Sequence, residues 1–85
     1  MYVTLGSSVS VKKSDIIGIF DLDTAPADSQ IMEYLKKNEK NKNVTVVGDG
    51  IPKAFVVTEN LGKTKVYITT ISASSIKGRY EQDYK

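Results

Sequence analysis

Two short runs of strand-forming residues open the chain, separated by a turn signal. The segment YVTL is a strand candidate, and Val9 and Val11 alternate with Ser10 and Lys12 as on a half-buried strand. The intervening GSS favours a turn. The pattern therefore predicts an N-terminal β-hairpin.

The next segment, DIIGIFDL, is apolar almost throughout and rich in β-branched and aromatic residues. A run of this kind is typical of a central strand that is buried on both faces. Gly18 interrupts the run, and it either weakens the strand or allows another group to approach its backbone closely.

A helical pattern replaces the strand pattern after residue 22. Asp23 or Thr24 can cap a helix, a proline fits its first turn, and Ile31 and Leu35 stand four positions apart. The spacing predicts the main helix at about residues 26–39. Lysines gather toward its C-terminus, where they interact favourably with the helix dipole: Lys36, Lys37 and Lys40.

Three further strand patterns follow within about thirty residues: VTVV, KAFVVT and KVYITTI. They are separated by the turn-like segments GDGIP and ENLGKT, which predicts an antiparallel meander. Ile76 and Tyr80 then stand four apart in a short C-terminal helix, although Gly78 lowers helix propensity by about 1 kcal/mol relative to alanine.

Together these elements predict an α+β fold with a curved antiparallel β-sheet, one main helix and a short C-terminal helix. We find no internal repeat or linker, so the prediction is a single domain over residues 1–80 with a frayed tail at 81–85. A chain of 85 residues buries only about 63% of its unfolded surface, a marginality that self-association would relieve.

Composition narrows the function classes. The chain has neither cysteine nor histidine, the usual zinc ligands and the usual general base, so we expect no metal, no cofactor and no enzymatic activity. Its start lacks the pattern of a secretory signal, and its apolar runs are too short to span a membrane. These features predict a cytoplasmic protein without a membrane partner.

One pair of acids stands out, at Asp21 and Asp23 after the third strand pattern. Two carboxylates at a strand end are a possible magnesium clamp. Because a helix start follows directly, capping that helix and complementing its dipole is the better-supported interpretation.

Lysines occur in clusters although the net charge is only +2. Lys12 and Lys13 lie at a predicted strand end, and charge runs of this kind are typical of a solvated face, with phosphate contact as the alternative. Lys53 follows Pro52, whose fixed φ stiffens the turn. Lys53 is therefore either the tip of a nucleic-acid-binding loop or a residue in a turn that leads into a strand.

Four blocks together, MYVTLG, KSDIIGIFDLD, GIPKAFVVT and ISASSIKGR, resemble the RemB-type branch of the extracellular matrix regulatory family, whose other well-known branch is RemA. The resemblance runs from Met1 to about Tyr80. RemA-type proteins are similar to LytTR-type domains in fold, form closed rings and activate transcription of biofilm matrix genes by binding DNA. A ring repeats each lysine on every subunit, which turns weak contacts into a multivalent track for DNA.

The match to the RemA branch is uneven at its basic positions. RemA-type chains carry two arginines where this chain has Gly50 and Ile51, and a further basic position falls on Asp15. The basic residue directly before Ala54 is retained as Lys53.

The resemblance thus implies a homo-oligomeric, ring-forming, DNA-associated regulator of matrix genes that reads DNA mainly through backbone charge and shape. Double-stranded DNA, other copies of the chain and a RemA-like paralogue are the implied partners. The alternative is an oligomeric protein-interaction module that has lost the DNA site. The candidate DNA contacts are Lys53 at the centre and, at the periphery, Lys12, Lys13, Lys77 and Arg79.

Overall fold

The computed structural model describes residues 2–6, 9–22 and 29–81. These residues form six strands and two helices, with a 3₁₀ turn at Lys13–Asp15 between the second and third strands. In chain order the elements are β1 (Tyr2–Gly6), β2 (Val9–Lys12), β3 (Ile16–Asp21), α1 (Ser29–Lys40), β4 (Val44–Val47), β5 (Ala54–Asn60), β6 (Lys63–Thr69) and α2 (Ala73–Glu81).

The strands form two sheets, and these sheets together with the two helices confirm the α+β class. β1 and β2 make the predicted antiparallel hairpin, with Val3 opposite Val11. The other four strands form one sheet in the order β3-β5-β6-β4. β5 is antiparallel to both β3 and β6, whereas β4 lies parallel to β6, which makes this sheet mixed.

The predicted antiparallel meander is therefore wrong at β4. Since β3 and β6 flank β5, β4 pairs along the outer edge of β6, with Val44 opposite Val66. The connection at residues 48–53 accordingly crosses the end of β6, where the Lys53 amide donates a hydrogen bond to the Thr69 carbonyl (2.9 Å). Positive φ angles at Gly48 (83°) and Gly50 (112°) allow this path.

The prediction that DIIGIFDL forms a central strand is also wrong. β3 is an edge strand of the sheet, and its Ile17 is 61% exposed. A register shift between Ile16 and Gly18 places Ile17 in a bulge. The strand buried on both faces is β5, whose first five residues, from Ala54 to Thr58, are all buried.

The four-stranded sheet separates two hydrophobic clusters. On one face, the β1–β2 hairpin and α2 cover the sheet, and Val3, Leu5 and Ile76 pack with Val56. On the other face, Leu35 of α1 packs against a cluster formed by Phe55, Val57 and Val66. The molecule thus has three layers, with the sheet in the middle.

Both predicted helices are present, with shifted bounds. α1 ends at Lys40, one residue beyond the prediction, and its C-terminal lysines are exposed as expected. Its predicted capping residues, Asp23 and Thr24, lie outside the described residues. α2 extends to Glu81, the first residue of the predicted tail, and residues 82–85 lie outside the described residues. Neither α1 nor α2 is long and apolar enough to cross a membrane.

Candidate anion-binding site

Three lysines surround a concavity of about 330 Å³ between the N-terminal hairpin and the end of the main sheet. In the part of the chain that the structure describes, none of these lysines forms an ion pair. We refer to this concavity as the lysine groove and define it by six residues that line it: Tyr2, Lys12, Asp15, Lys63, Lys65 and Tyr67.

Strand geometry explains why these side chains meet. Successive side chains of a strand point to opposite faces, so Lys63, Lys65 and Tyr67 share the face of β6 that the hairpin covers. On the other wall, Lys12 pairs with Tyr2 across β1 and β2. The groove thus has cationic and aromatic side chains on both walls.

The groove contains one carboxylate, and an amide orients it. Asn60 Nδ2 lies 3.1 Å from Asp15 Oδ1 and 3.2 Å from Asp15 Oδ2, so it donates to the carboxylate. This interaction joins the 3₁₀ turn to the end of β5 and leaves other lone pairs of the carboxylate able to accept hydrogen bonds.

Two predicted contacts, Lys13 and Lys77, lie beside Tyr80. Lys13 Nζ lies 4.7 Å from the centroid of the Tyr80 ring, within the range of a cation–π interaction. Lys12 and Lys13 line one shallow depression with Tyr80, and Lys77 lines a neighbouring depression that also includes Tyr80. The structure therefore brings Lys12, Lys13 and Lys77 together on one side of the molecule.

The predicted central contact, Lys53, lies elsewhere. It directly precedes β5 at the end of the sheet opposite the lysine groove, about 16 Å along the strand from Thr58 at 3.3 Å per residue. Its side chain is exposed, while its carbonyl accepts a hydrogen bond from the Leu22 amide (2.9 Å). GDGIPK is therefore a crossing loop that leads into a core strand and presents Lys53 to solvent.

Arg79 has a structural contact. Its Nη1 donates a hydrogen bond to the carbonyl oxygen of Thr4 at 2.7 Å, which fastens α2 to the hairpin. Arg79 is the chain's single arginine, so this contact engages the only guanidinium available for bidentate recognition.

No group of three or more acidic side chains arranged to hold a metal ion occurs among the described residues. Asp23, the second member of the candidate magnesium clamp, lies outside them.

Comparison with known proteins identifies the family. The chain is 38% identical over 79 residues to extracellular matrix regulatory protein B of Bacillus subtilis, an alignment that covers 93% of this chain and 89% of that protein. The chain belongs to the extracellular matrix regulatory protein B family. No family model matches it. It is also 26% identical over 72 residues to a putative helicase of Acanthamoeba polyphaga mimivirus, covering 81% of this chain but only 9% of the helicase.

The three positions at which the resemblance to RemA-type chains implies a basic residue lie at two separate places. Gly50 and Ile51 lie on the crossing loop beside Lys53, and Ile51 is 79% exposed. Asp15 lies in the lysine groove. Within the chain, these positions are at opposite ends of the sheet.

Sequence reasoning missed Lys63 and Lys65. Adjacent lysine pairs are the conspicuous ones in the sequence, whereas neighbours on a strand point to opposite faces and residues two apart share one face. The alternation K-T-K-V-Y at the start of β6 was the available signal. This alternation predicts that both lysines share one face of the strand. It does not predict that Lys12 lies across the groove from them.

Proposed function

We propose that this chain is a homo-oligomeric regulator that contacts the backbone of duplex DNA. The observation that carries the proposal is the gathering of lysines on one side of the subunit, with Lys12, Lys13 and Lys77 grouped around Tyr80. Lysine is a strongly hydrated point charge that suits contact with phosphate.

The family supplies the biological context. The relative in Bacillus subtilis is named an extracellular matrix regulatory protein. A role in regulating matrix genes follows for this chain as part of the same proposal, with a cytoplasmic location.

Assembly into a ring is the second part of the proposal. Lys53 and the lysines around Tyr80 lie at separate places on one subunit, and the net charge of a subunit is only +2. A single subunit therefore offers few simultaneous phosphate contacts. Repeating both places around a closed oligomer would raise the effective concentration of each contact without strengthening any of them.

Readout in this scheme relies on backbone charge and DNA shape. Bidentate recognition of guanine is typically the task of arginine, and each copy of the chain has a single arginine. Lysine contacts with phosphate fix position on the duplex and carry little sequence information. Sequence preference would then come from the deformability of the DNA.

A salt series on a generic duplex tests the proposal. We expect the logarithm of the binding constant to fall linearly with the logarithm of salt concentration, and the slope to flatten by about 0.9 for each phosphate that a variant fails to neutralise. The variants are Lys53→Ala and the double variant Lys12→Ala with Lys13→Ala, compared in one oligomeric state.

The matched control is Lys36→Ala with Lys40→Ala, which removes two exposed positive charges from α1, on the other face of the sheet. The control should change the slope less than the Lys12 and Lys13 variant. Equal slopes for all proteins, or no binding at low salt, would refute direct DNA contact through these residues.

A protein-interaction module is the second candidate, favoured by a specific observation. Asp15 places a carboxylate in the lysine groove, and the exposed Ile51 occupies a position that is basic in RemA-type chains. Both residues disfavour contact with the phosphate backbone of a duplex and suit a protein surface. An assembled protein that binds no DNA in the salt series would support this candidate, in which the family's assembly surface is retained.

A further inference from the structure

The lysine groove has the size and mixed polarity of a small-molecule site. We propose that it binds a mononucleotide, with the phosphate held by Lys63, Lys65 and Lys12 and the base lying against the tyrosine rings. This inference does not depend on DNA binding, because the ligand is a free nucleotide and the site is complete within one subunit.

Charge is the first argument. The three lysines approach one concavity from two walls without forming ion pairs in the part of the chain the structure describes. A nucleotide phosphate carries up to two negative charges at neutral pH and offers several strong acceptor oxygens. Charge-assisted hydrogen bonds from lysine ammonium groups to phosphate are among the stronger polar contacts in proteins.

Size and shape are the second argument. The concavity of about 330 Å³ falls at the lower end of the range of about 300–1,000 Å³ that small-molecule sites occupy. Its walls come from the β1–β2 hairpin and the β5–β6 pair. A concavity bounded on both sides suits a compact ligand better than a duplex, which needs an open track.

The nature of the lining selects a nucleotide over a bare phosphate. Tyr2 and Tyr67 offer aromatic surface for a base, and base–aromatic stacking tolerates any base because each has a π-face. Asp15 would repel a phosphate, yet it can accept a hydrogen bond from a base amino group or a ribose hydroxyl. Asn60 orients this carboxylate, whose two oxygens can each accept more than one hydrogen bond.

Binding here would join two layers of the molecule. Lys12 belongs to the hairpin and Lys63 and Lys65 belong to the main sheet, so one phosphate in contact with all three links the two sheets. A ligand that binds only the folded state raises the unfolding temperature as its concentration exceeds the dissociation constant. Nucleotide binding should therefore raise the melting temperature.

Calorimetric titration of the purified chain tests the assignment. The probes are purine and pyrimidine nucleoside monophosphates, inorganic phosphate, pyrophosphate, and short single-stranded and duplex DNA. We expect at least one nucleoside monophosphate to bind more tightly than phosphate or pyrophosphate. The double variant Lys63→Gln with Lys65→Gln should weaken that binding about ten- to a hundredfold, as expected for removing charged hydrogen bonds.

The control Lys36→Gln with Lys40→Gln removes the same charge from α1 and should change the nucleotide affinity by less than about twofold, the effect of a remote screened charge. Lys12→Gln, on the opposite wall, provides a second test should the double variant fail to fold. Asp15→Asn should weaken nucleotide binding while leaving pyrophosphate binding equal or tighter.

Four results would overturn the proposal. These are the absence of nucleotide binding, nucleotide binding that the groove variants leave unchanged, pyrophosphate binding as tight as that of the nucleotides, and binding of DNA alone. The titrations with DNA also distinguish nucleotide binding in the lysine groove from the proposed contact with duplex DNA. Nucleotide binding without DNA binding would leave this inference standing and refute DNA contact.

Discussion

At the scale of single residues, Thr69 links the N-terminal hairpin to the main sheet through a buried hydroxyl. Its side chain is 1% exposed, donates to the Leu5 carbonyl (2.7 Å) and accepts from the Ile71 amide (3.1 Å). One hydroxyl therefore serves two backbone groups. Leaving buried groups without such partners costs about 1–3 kcal/mol.

We expect Thr69→Val to lower the free energy of unfolding by about 1–3 kcal/mol, since valine keeps the shape but removes the hydroxyl. Urea unfolding would report this as a lower midpoint. Thr45→Val on β4 is the control, because Thr45 is exposed and its hydroxyl can be solvated. A midpoint for Thr69→Val no lower than that of the control would contradict the role of the hydroxyl.

Gly18 is the residue whose two sequence interpretations the structure separates. A Cβ built at Gly18 would lie 2.5 Å from Cε2 of Phe20, and the Phe20 ring stacks on Phe55 with a centroid distance of 4.8 Å. The close approach that we predicted as one possibility is confirmed. The sequence indicates a special role for the glycine but does not predict which group approaches it. The position of the Phe20 ring depends on Phe55, which lies on the neighbouring strand.

Gly18→Ala should push the Phe20 ring off Phe55 and destabilise the protein by about 1–2 kcal/mol. The matched control is Gly78→Ala in α2, where no heavy atom of another group lies within 4 Å of the added Cβ. That change should raise the free energy of unfolding by about 0.5–1 kcal/mol through helix propensity. Opposite shifts in urea midpoint are the expected outcome, and a midpoint for Gly18→Ala no lower than that of the wild type would refute the account of Gly18.

At the scale of elements, local pairings could be predicted from the sequence and non-local ones could not. The β1–β2 and β5–β6 hairpins and both helices follow from turn residues and periodicity within short windows. The parallel partner of β4 and the edge position of β3 depend on which strands flank β5. That choice is made by contacts between distant parts of the chain, which a local pattern does not encode.

The β5–β6 hairpin has a poor residue in its turn. Leu61 (φ 52°) and Gly62 (φ 77°) both have positive φ, as in a type I′ turn, and Leu61 is 96% exposed. Asn-Gly is the favoured pair for this turn, and leucine in this conformation is strained. Leu61→Asn should therefore stabilise the protein by about 0.5–1 kcal/mol, with almost no change in buried apolar surface.

Urea unfolding at low protein concentration would measure this gain as a higher midpoint at an unchanged slope. Leu61→Ala is the control, since it removes the same exposed side chain without supplying a residue that favours positive φ. Stabilisation by both variants would attribute the gain to removal of the apolar side chain instead of to the turn.

At the scale of the whole molecule, the main sheet has two edges through which the proposed assembly of copies can be tested. β3 and β4 are the outer strands, and each has an exposed apolar residue, Ile17 on β3 and Val46 (67% exposed) on β4. Edge strands of this kind can pair with another chain, and a lysine on the edge blocks such pairing. A ring built head to tail uses both edges, whereas a two-fold dimer repeats one.

A complementation experiment distinguishes these assemblies. If the proposed ring joins β3 of one copy to β4 of the next, Ile17→Lys and Val46→Lys should each reduce the protein to monomers. A mixture of the two variants should form only a dimer, through the intact β4 edge of the first and the intact β3 edge of the second. Light scattering with size-exclusion chromatography measures each mass, and a ring that survives both substitutions would contradict edge pairing.

The same two variants test whether DNA binding depends on assembly. Each adds one positive charge to its subunit, which on electrostatic grounds alone should tighten binding to duplex DNA. If affinity instead comes from contacts repeated around a ring, the monomeric variants should bind more weakly than the wild type despite the added charge, with a shallower dependence on salt. Fluorescence anisotropy across a salt series would measure both quantities. Tighter binding by well-folded monomers would show that one subunit suffices, because the effect of one added lysine would then exceed any benefit of multivalent binding.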